Sequence, residues 1–108
     1  MSNETVMITK DFEWNITKNK WLKEHRGIPF EDIVHFIKNG GLIDSYEHPN
    51  KIKYPNQSIF VVKTNSYVYL VPYVEENNYY FLKTIIPNRK ANKKYFGVEN
   101  VQKKLSIR

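Results

Sequence analysis

The chain contains no cysteine, which excludes a disulfide scaffold, a thiol nucleophile and any thiolate metal site. It also lacks a run near the roughly 20 apolar residues that a membrane-spanning helix requires. Its opening, MSNETVMITKDFEW, has no basic segment followed by an apolar run and a small-residue cleavage site, so a cytoplasmic protein without membrane contact is expected. No GxxxxGK[ST], GxGxxG or GxSxG occurs, which sets aside phosphate-cradling loops and the serine-hydrolase elbow. His25, His35 and His48 stand 10 and 13 residues apart with no i, i+4 pair among them, so neither a metal nor another cofactor is expected. There is no internal repeat, low-complexity tract or linker, and 108 residues suit one domain spanning 1–108.

What is present is a folding composition with an uneven charge. Hydrophobic residues make up 41% and aromatics 15%, enough for a modest core without covalent staples. The net charge of +6 is concentrated at one end: residues 83–108 carry eight bases against Glu99 alone, while the first 82 carry nine bases and ten acids. Such segregation suits a phosphate-binding surface, although a solvated basic tail would look the same.

The chain reads as α+β: a short N-terminal strand, two helices, a mostly antiparallel sheet and a short basic C-terminal helix. Asn15 or Thr17 can cap a first helix reaching about His25, with Lys18, Trp21, Leu22 and His25 on one side and Gly27 as its stop. In IPFEDIVHFIKNGG, Pro29 suits a first helical position, and Phe30, Ile33, Val34 and Ile37 form the apolar stripe. Gly40-Gly41 supplies a left-handed stop. Strands are expected in LIDSYEH, SIFVVKT, YVYLVPYV and YYFLKTIIP, with tight turns at Asn65-Ser66 and in EENN. That first turn puts Phe60 and Val62 on one sheet face with Tyr69 and Val71, and Val61 on the other with Val68 and Leu70. Both faces are apolar, so the one the two helices leave uncovered should serve as a partner surface or substrate trough. Pro72 implies an edge strand or a bulge. Asn88 can cap a helix through RKANKKY, and Val98, Val101 and Leu105 can form a further weak stripe.

Asp44 and Glu47 could pair as carboxylates, but alternation is expected to put one on each side of the strand, and a solvated polar face is the plainer reading. What remains is a set of cations among aromatics: Lys83, Arg89, Lys90, Lys93 and Tyr95. Cleaving RNA without a metal requires the 2′-hydroxyl to lose a proton, the phosphorane charge to be neutralised and the leaving oxygen to be protonated. Arg and Lys can do the second, and His, Lys or Tyr the rest, while aromatic faces can stack splayed bases. Each residue has a plainer reading: Lys83 snorkelling from a sheet face, Arg89 bracing its helix against Glu47 or Asp44, His25 as a cation at a helix C-terminus, Tyr95 as core, His48 as a loop residue.

EWNITKNKWLKEHRGIPFEDIV resembles the opening of BrnT-type toxins of bacterial type II toxin–antitoxin systems, and LKTIIPNRKANKKY resembles their final strand and Ile-Ser-Ala-Arg-Lys-Ala segment. Together these stretches cover about a third of the chain. The resemblance implies a RelE/ParE-type fold and an endoribonuclease masked by a cognate antitoxin, acting on RNA, free or at the ribosome, and meeting operator DNA only through the antitoxin. By position, Arg89 matches the family arginine after the last strand, Lys83 replaces an arginine on that strand, and His25 matches the histidine closing the first helix. Arg89 and Lys83 would hold the scissile phosphate, Lys90, Lys93 and Lys94 would follow the RNA backbone, and His25, His48 or Tyr95 would move protons. The chain departs from the family at Asn88, at the displaced Lys23, in the longer HPNKIKYPNQ insertion, and where Lys93 or Lys94 stands in place of an acid. The departures at Asn88 and in the last helix favour the alternative of a non-catalytic nucleic-acid- or protein-binding module that keeps the fold.

Overall fold

A computed structural model describes residues 10–95. In chain order it runs β1 (Asp11–Trp14), α1 (Ile16–Arg26), α2 (Phe30–Phe36), a π turn (Ile37–Gly41), β2 (Leu42–Glu47), β3 (Gln57–Lys63), β4 (Val68–Glu75), β5 (Tyr79–Leu82) and β6 (Ile86–Pro87). Residues 89–95 then form a third helix, α3. The sheet order is β1-β5-β4-β3-β2, with β6 beside β4; β1 runs parallel to β5 and every other pair is antiparallel. The expected weak stripe at Val98, Val101 and Leu105 lies outside the described residues.

Of the two candidate caps, Asn15 starts α1, its side chain accepting from the Lys18 amide at 2.8 Å. Gly27 ends the helix in the left-handed region at φ 69°. Pro29 sits one position earlier than expected, extended at the N-cap of α2, where a proline offers no side-chain acceptor. Asn19 supplies the cap from across the helix pair: its Oδ1 accepts from the Phe30 amide at 2.6 Å and its Nδ2 donates to Glu31 at 2.8 Å. That second bond, followed by the helix's own backbone, holds the Glu31 carboxyl below its ordinary pKa. Phe30, Ile33 and Ile37 of the predicted stripe are buried and Val34 is half-buried.

The two glycines act differently. Gly40 is the left-handed residue, at φ 92°. Gly41 has no such φ, but a Cβ there would lie 2.5 Å from the Lys63 carbonyl oxygen and 2.7 Å from that of Phe36. It is the point where the helical hairpin meets β3.

The Asn65-Ser66 turn sets the predicted register, with Phe60 opposite Val71 and Val62 opposite Tyr69. Thr64 fastens it, accepting at Oγ1 from the amides of Ser66 and Tyr67 and donating to the Tyr67 carbonyl. On one face Phe60, Val62, Val71, Tyr73 and Leu82 pack against Leu22, Ile28, Phe30, Ile33 and Ile37 to make the core. An aromatic cluster closes one end of it: Tyr73 stacks on Phe60 at 3.7 Å, and Tyr80 meets both edge-on.

The expected continuous strand YYFLKTIIP is broken. Leu82 pairs with Tyr73 and Ile86 with Leu70, so three residues, 83–85, stand opposite the two residues Val71 and Pro72. This is a one-residue bulge, and its cause is Pro72. In an antiparallel strand the N–H and C=O of one residue face the same neighbour. Lys83 donates to the Pro72 carbonyl at 2.8 Å, so the missing Pro72 donor faces residues 83–85, where the bulge spares it a partner. Pro72 therefore sits in the central strand, not at an edge. The bulge turns Ile85 fully into the core, and Arg26 at the end of α1 donates to the Ile85 carbonyl.

Candidate nucleic-acid interface

Alternation along the strands leaves Val61, Leu70, Asp44 and Tyr46 on the face turned away from the core. A bulge between Leu42 and Asp44 gives β2 this phase: Leu42 pairs with Val62 but Asp44 with Val61. Asp44 and Glu47 indeed diverge, Glu47 forming an ion pair with Lys51 at the end of the strand.

Part of this second face, which α1 and α2 leave uncovered, is crossed by α3. Asn88 caps the helix, accepting from the Ala91 amide at 2.7 Å, while its own amide donates to the Val68 carbonyl at 3.4 Å. Asn92 accepts at Oδ1 from the Val68 amide at 3.2 Å. The first turn of this short helix is thereby tied to the start of β4.

Between α3 and β2 lies a cleft of about 390 Å³, within the size range of small-ligand pockets. Val61 and Leu70 form its floor, Lys90, Lys94 and Tyr95 one wall, and Asp44 and Tyr46 the other. Lys90 and Lys94 are four residues apart on one helix face, and the Lys94 ammonium lies 5.2 Å from the centre of the Tyr95 ring. Among the described residues no carboxylate forms an ion pair with Lys90 or Lys94. The Asp44 carboxylate accepts from the Ser45 amide at 2.8 Å. Desolvation, then the Asp44 carboxylate and the Tyr95 phenol, push the Tyr46 phenol above its ordinary pKa, so at neutral pH it is a protonated donor facing the cleft.

Of the residues singled out from sequence, the structure gathers Lys90, Lys94 and Tyr95 here. Arg89 and Lys93 belong to the same helix but do not line the cleft. Lys83 is not on a strand: it opens the bulge, with its ammonium 5.4 Å from the centre of the Phe81 ring. Phe81 alternates with the core residue Leu82, so that ammonium is on the α3 side of the sheet, outside the cleft lining. His25 belongs to α1, packed on the opposite face; its Nδ1 lies 3.0 Å from the Trp21 carbonyl oxygen. His48 is held in the loop after β2, its Nδ1 accepting from the Asn50 amide at 3.0 Å and its ring 4.4 Å from that of Tyr54. Neither histidine lines the cleft. Among the described residues, no three His, Asp or Glu side chains come together to hold a metal ion.

Asp44 and Tyr46 are the site residues that sequence reasoning missed. Their shared parity within LIDSYEH was readable, but not the helix that would face them.

The phenols also set an alkaline limit on stability. Tyr46, Tyr69 and Tyr80 all lie above the ordinary tyrosine value, in each case chiefly through desolvation. A raised folded-state pKa contributes stability that is complete below the unfolded value of about 10 and is lost as pH climbs through the folded values. Thermal melts should therefore hold level on this account from neutral pH to about 9.5 and decline above about 10. A midpoint that stays level through pH 11 or so would remove these phenols from the stability balance.

No family model, curated protein or solved structure matches the chain.

Proposed function

We propose that this protein is the toxin of a toxin–antitoxin pair: an endoribonuclease that binds single-stranded RNA in the cleft between α3 and β2 and cuts it without a metal. The observation that carries this reading is the convergence of two lysines, which form no ion pair among the described residues, and Tyr95 with Asp44 and Tyr46 over an apolar floor. The ammonium groups of Lys90 and Lys94 suit a phosphate, whose charge rises as the 2′-hydroxyl attacks phosphorus. Asp44 can accept the proton released by that hydroxyl, and a Tyr46 or Tyr95 phenol can donate one to the departing 5′-oxygen. The products are a 2′,3′-cyclic phosphate and a 5′-hydroxyl end. Lys83, Arg89 and Lys93 extend the positive surface outside the cleft. The resemblance of the helical hairpin and of LKTIIPNRKANKKY to BrnT-type toxins supports the assignment to a system with an antitoxin partner.

Incubation with single-stranded RNA in EDTA tests this. Fragments ending in 2′,3′-cyclic phosphate are expected, and a 2′-deoxy substitution at the cut site should block them. RNA that is bound but stays intact would instead support the non-catalytic module. That second reading is favoured by one observation, the absence of any histidine from the cleft lining.

A further inference from the structure

The outward side of α1 carries a second cluster of cations and rings. Within its 11 residues lie Lys18, Lys20, Lys23, His25 and Arg26 against one acid, Glu24. An amphipathic helix normally turns a tryptophan inward, yet Trp21 is 39% exposed beside a completely buried Leu22. The indole is held in place. The His25 ring stacks on it at 4.7 Å and 18°, the Lys18 ammonium lies 4.7 Å from its centre, and the Arg26 guanidinium lies 5.3 Å away. Arg26 is itself tied to the Ile85 carbonyl.

We infer that this strip on α1 is a second contact for single-stranded RNA, a base stacking on the Trp21–His25 pair while Lys18 and its neighbouring cations meet the flanking phosphates. The inference rests on RNA being the ligand of the cleft and extends the path the strand follows. Ile85 is four residues before Arg89, so the chain between the Arg26 anchor and α3 spans at most about 14 Å. Lys83 and Arg89, which the cleft leaves unused, flank that stretch and give an RNA strand cations to follow around the sheet edge. A flat ring pair framed by positive charge matches a nucleobase and its phosphates, whereas an acidic peptide would use the charge alone.

Trp21 reports on its own occupancy. The other tryptophan, Trp14, is packed on Phe30 at 5.6 Å and is half-buried. Titration with a 2′-O-methylated oligoadenylate dodecamer, which cannot be cut through its 2′-oxygen, should quench the tryptophan emission. Trp21→Ala should weaken binding about tenfold, within the range for loss of one stacked base. Trp21→Phe should abolish the quench while keeping affinity within about threefold, since a phenyl ring still stacks. Circular dichroism would establish that both variants are folded. If the dodecamer binds the wild type and needs Lys90 and Lys94 but leaves the emission unchanged, the α1 contact is wrong and the cleft reading stands. An equal quench by inorganic polyphosphate or polyglutamate would also overturn the stacking contact, leaving a charge-only surface. Failure of any RNA to bind would overturn both.

Discussion

Changing Lys90 and Lys94 together to alanine should lower affinity for single-stranded RNA roughly a hundredfold at low salt, about 1.5 kcal/mol for each charge-assisted hydrogen bond removed. The magnitude follows from the lack of carboxylate partners among the described residues: neither ammonium gives up an ion pair with one of them to meet a phosphate. Each phosphate bound on a single strand contributes about 0.7 to the slope of log affinity against log salt, so the double variant should flatten that slope by about 1.4. Anisotropy titrations across a salt series would measure both quantities. The fold should be little affected, because both side chains are exposed and alanine favours a helix. An unchanged slope would mean that RNA meets other cations, and Lys83, Arg89 and Lys93 would be the next to remove.

Alanine at Gly41 is expected to cost about 3 kcal/mol, at the upper end for forced overpacking. The added methyl would meet two backbone carbonyl oxygens, of Lys63 and Phe36, and neither can rotate away as a flexible side chain would. Relief requires the end of α2 to move off β3, disturbing the packing of Ile33 and Ile37 on the sheet. Gly40→Ala provides the comparison. Among the described residues nothing beyond its chain neighbours and its own helix backbone lies within 4 Å of its Cβ position, so the left-handed backbone is what opposes the substitution, at about 1–2 kcal/mol. Urea melts of the two variants should rank Gly41 as the costlier site, and the reverse order would show that the hairpin can shift freely against the sheet.

Much of this architecture could be read locally. Asn15 and Gly27 bound α1 because a side-chain acceptor and a left-handed residue are needed at those ends whatever the rest of the chain does. The Asn65-Ser66 turn predicted the β3–β4 pairing because strand faces alternate strictly and a two-residue loop leaves one register. Asn88 as the cap of α3 belongs to the same class. Pro72 was readable as a bulge or an edge, but choosing between them required the strand order.

The candidate site was harder to read. Its cations were visible as a cluster in sequence, but their partners Asp44 and Tyr46 lie more than 40 residues earlier. They reach the cleft because a bulge sets the phase of β2 and α3 folds back over the sheet. His25, singled out by position, and His48, singled out by residue type in the polar insertion, were separated from that cleft by the thickness of the sheet and by a self-bonded loop.

By itself the sequence determined where helices and strands begin, which strand faces are apolar and where positive charge accumulates, since capping, two-residue periodicity and composition act over a few residues. Tertiary structure alone decided that YYFLKTIIP must break opposite Pro72, that Gly41 must be glycine for want of space, that Trp21 faces outward, and which side chains meet Lys90 and Lys94. Each of these depends on a backbone or side chain distant in sequence and near only after the sheet has formed.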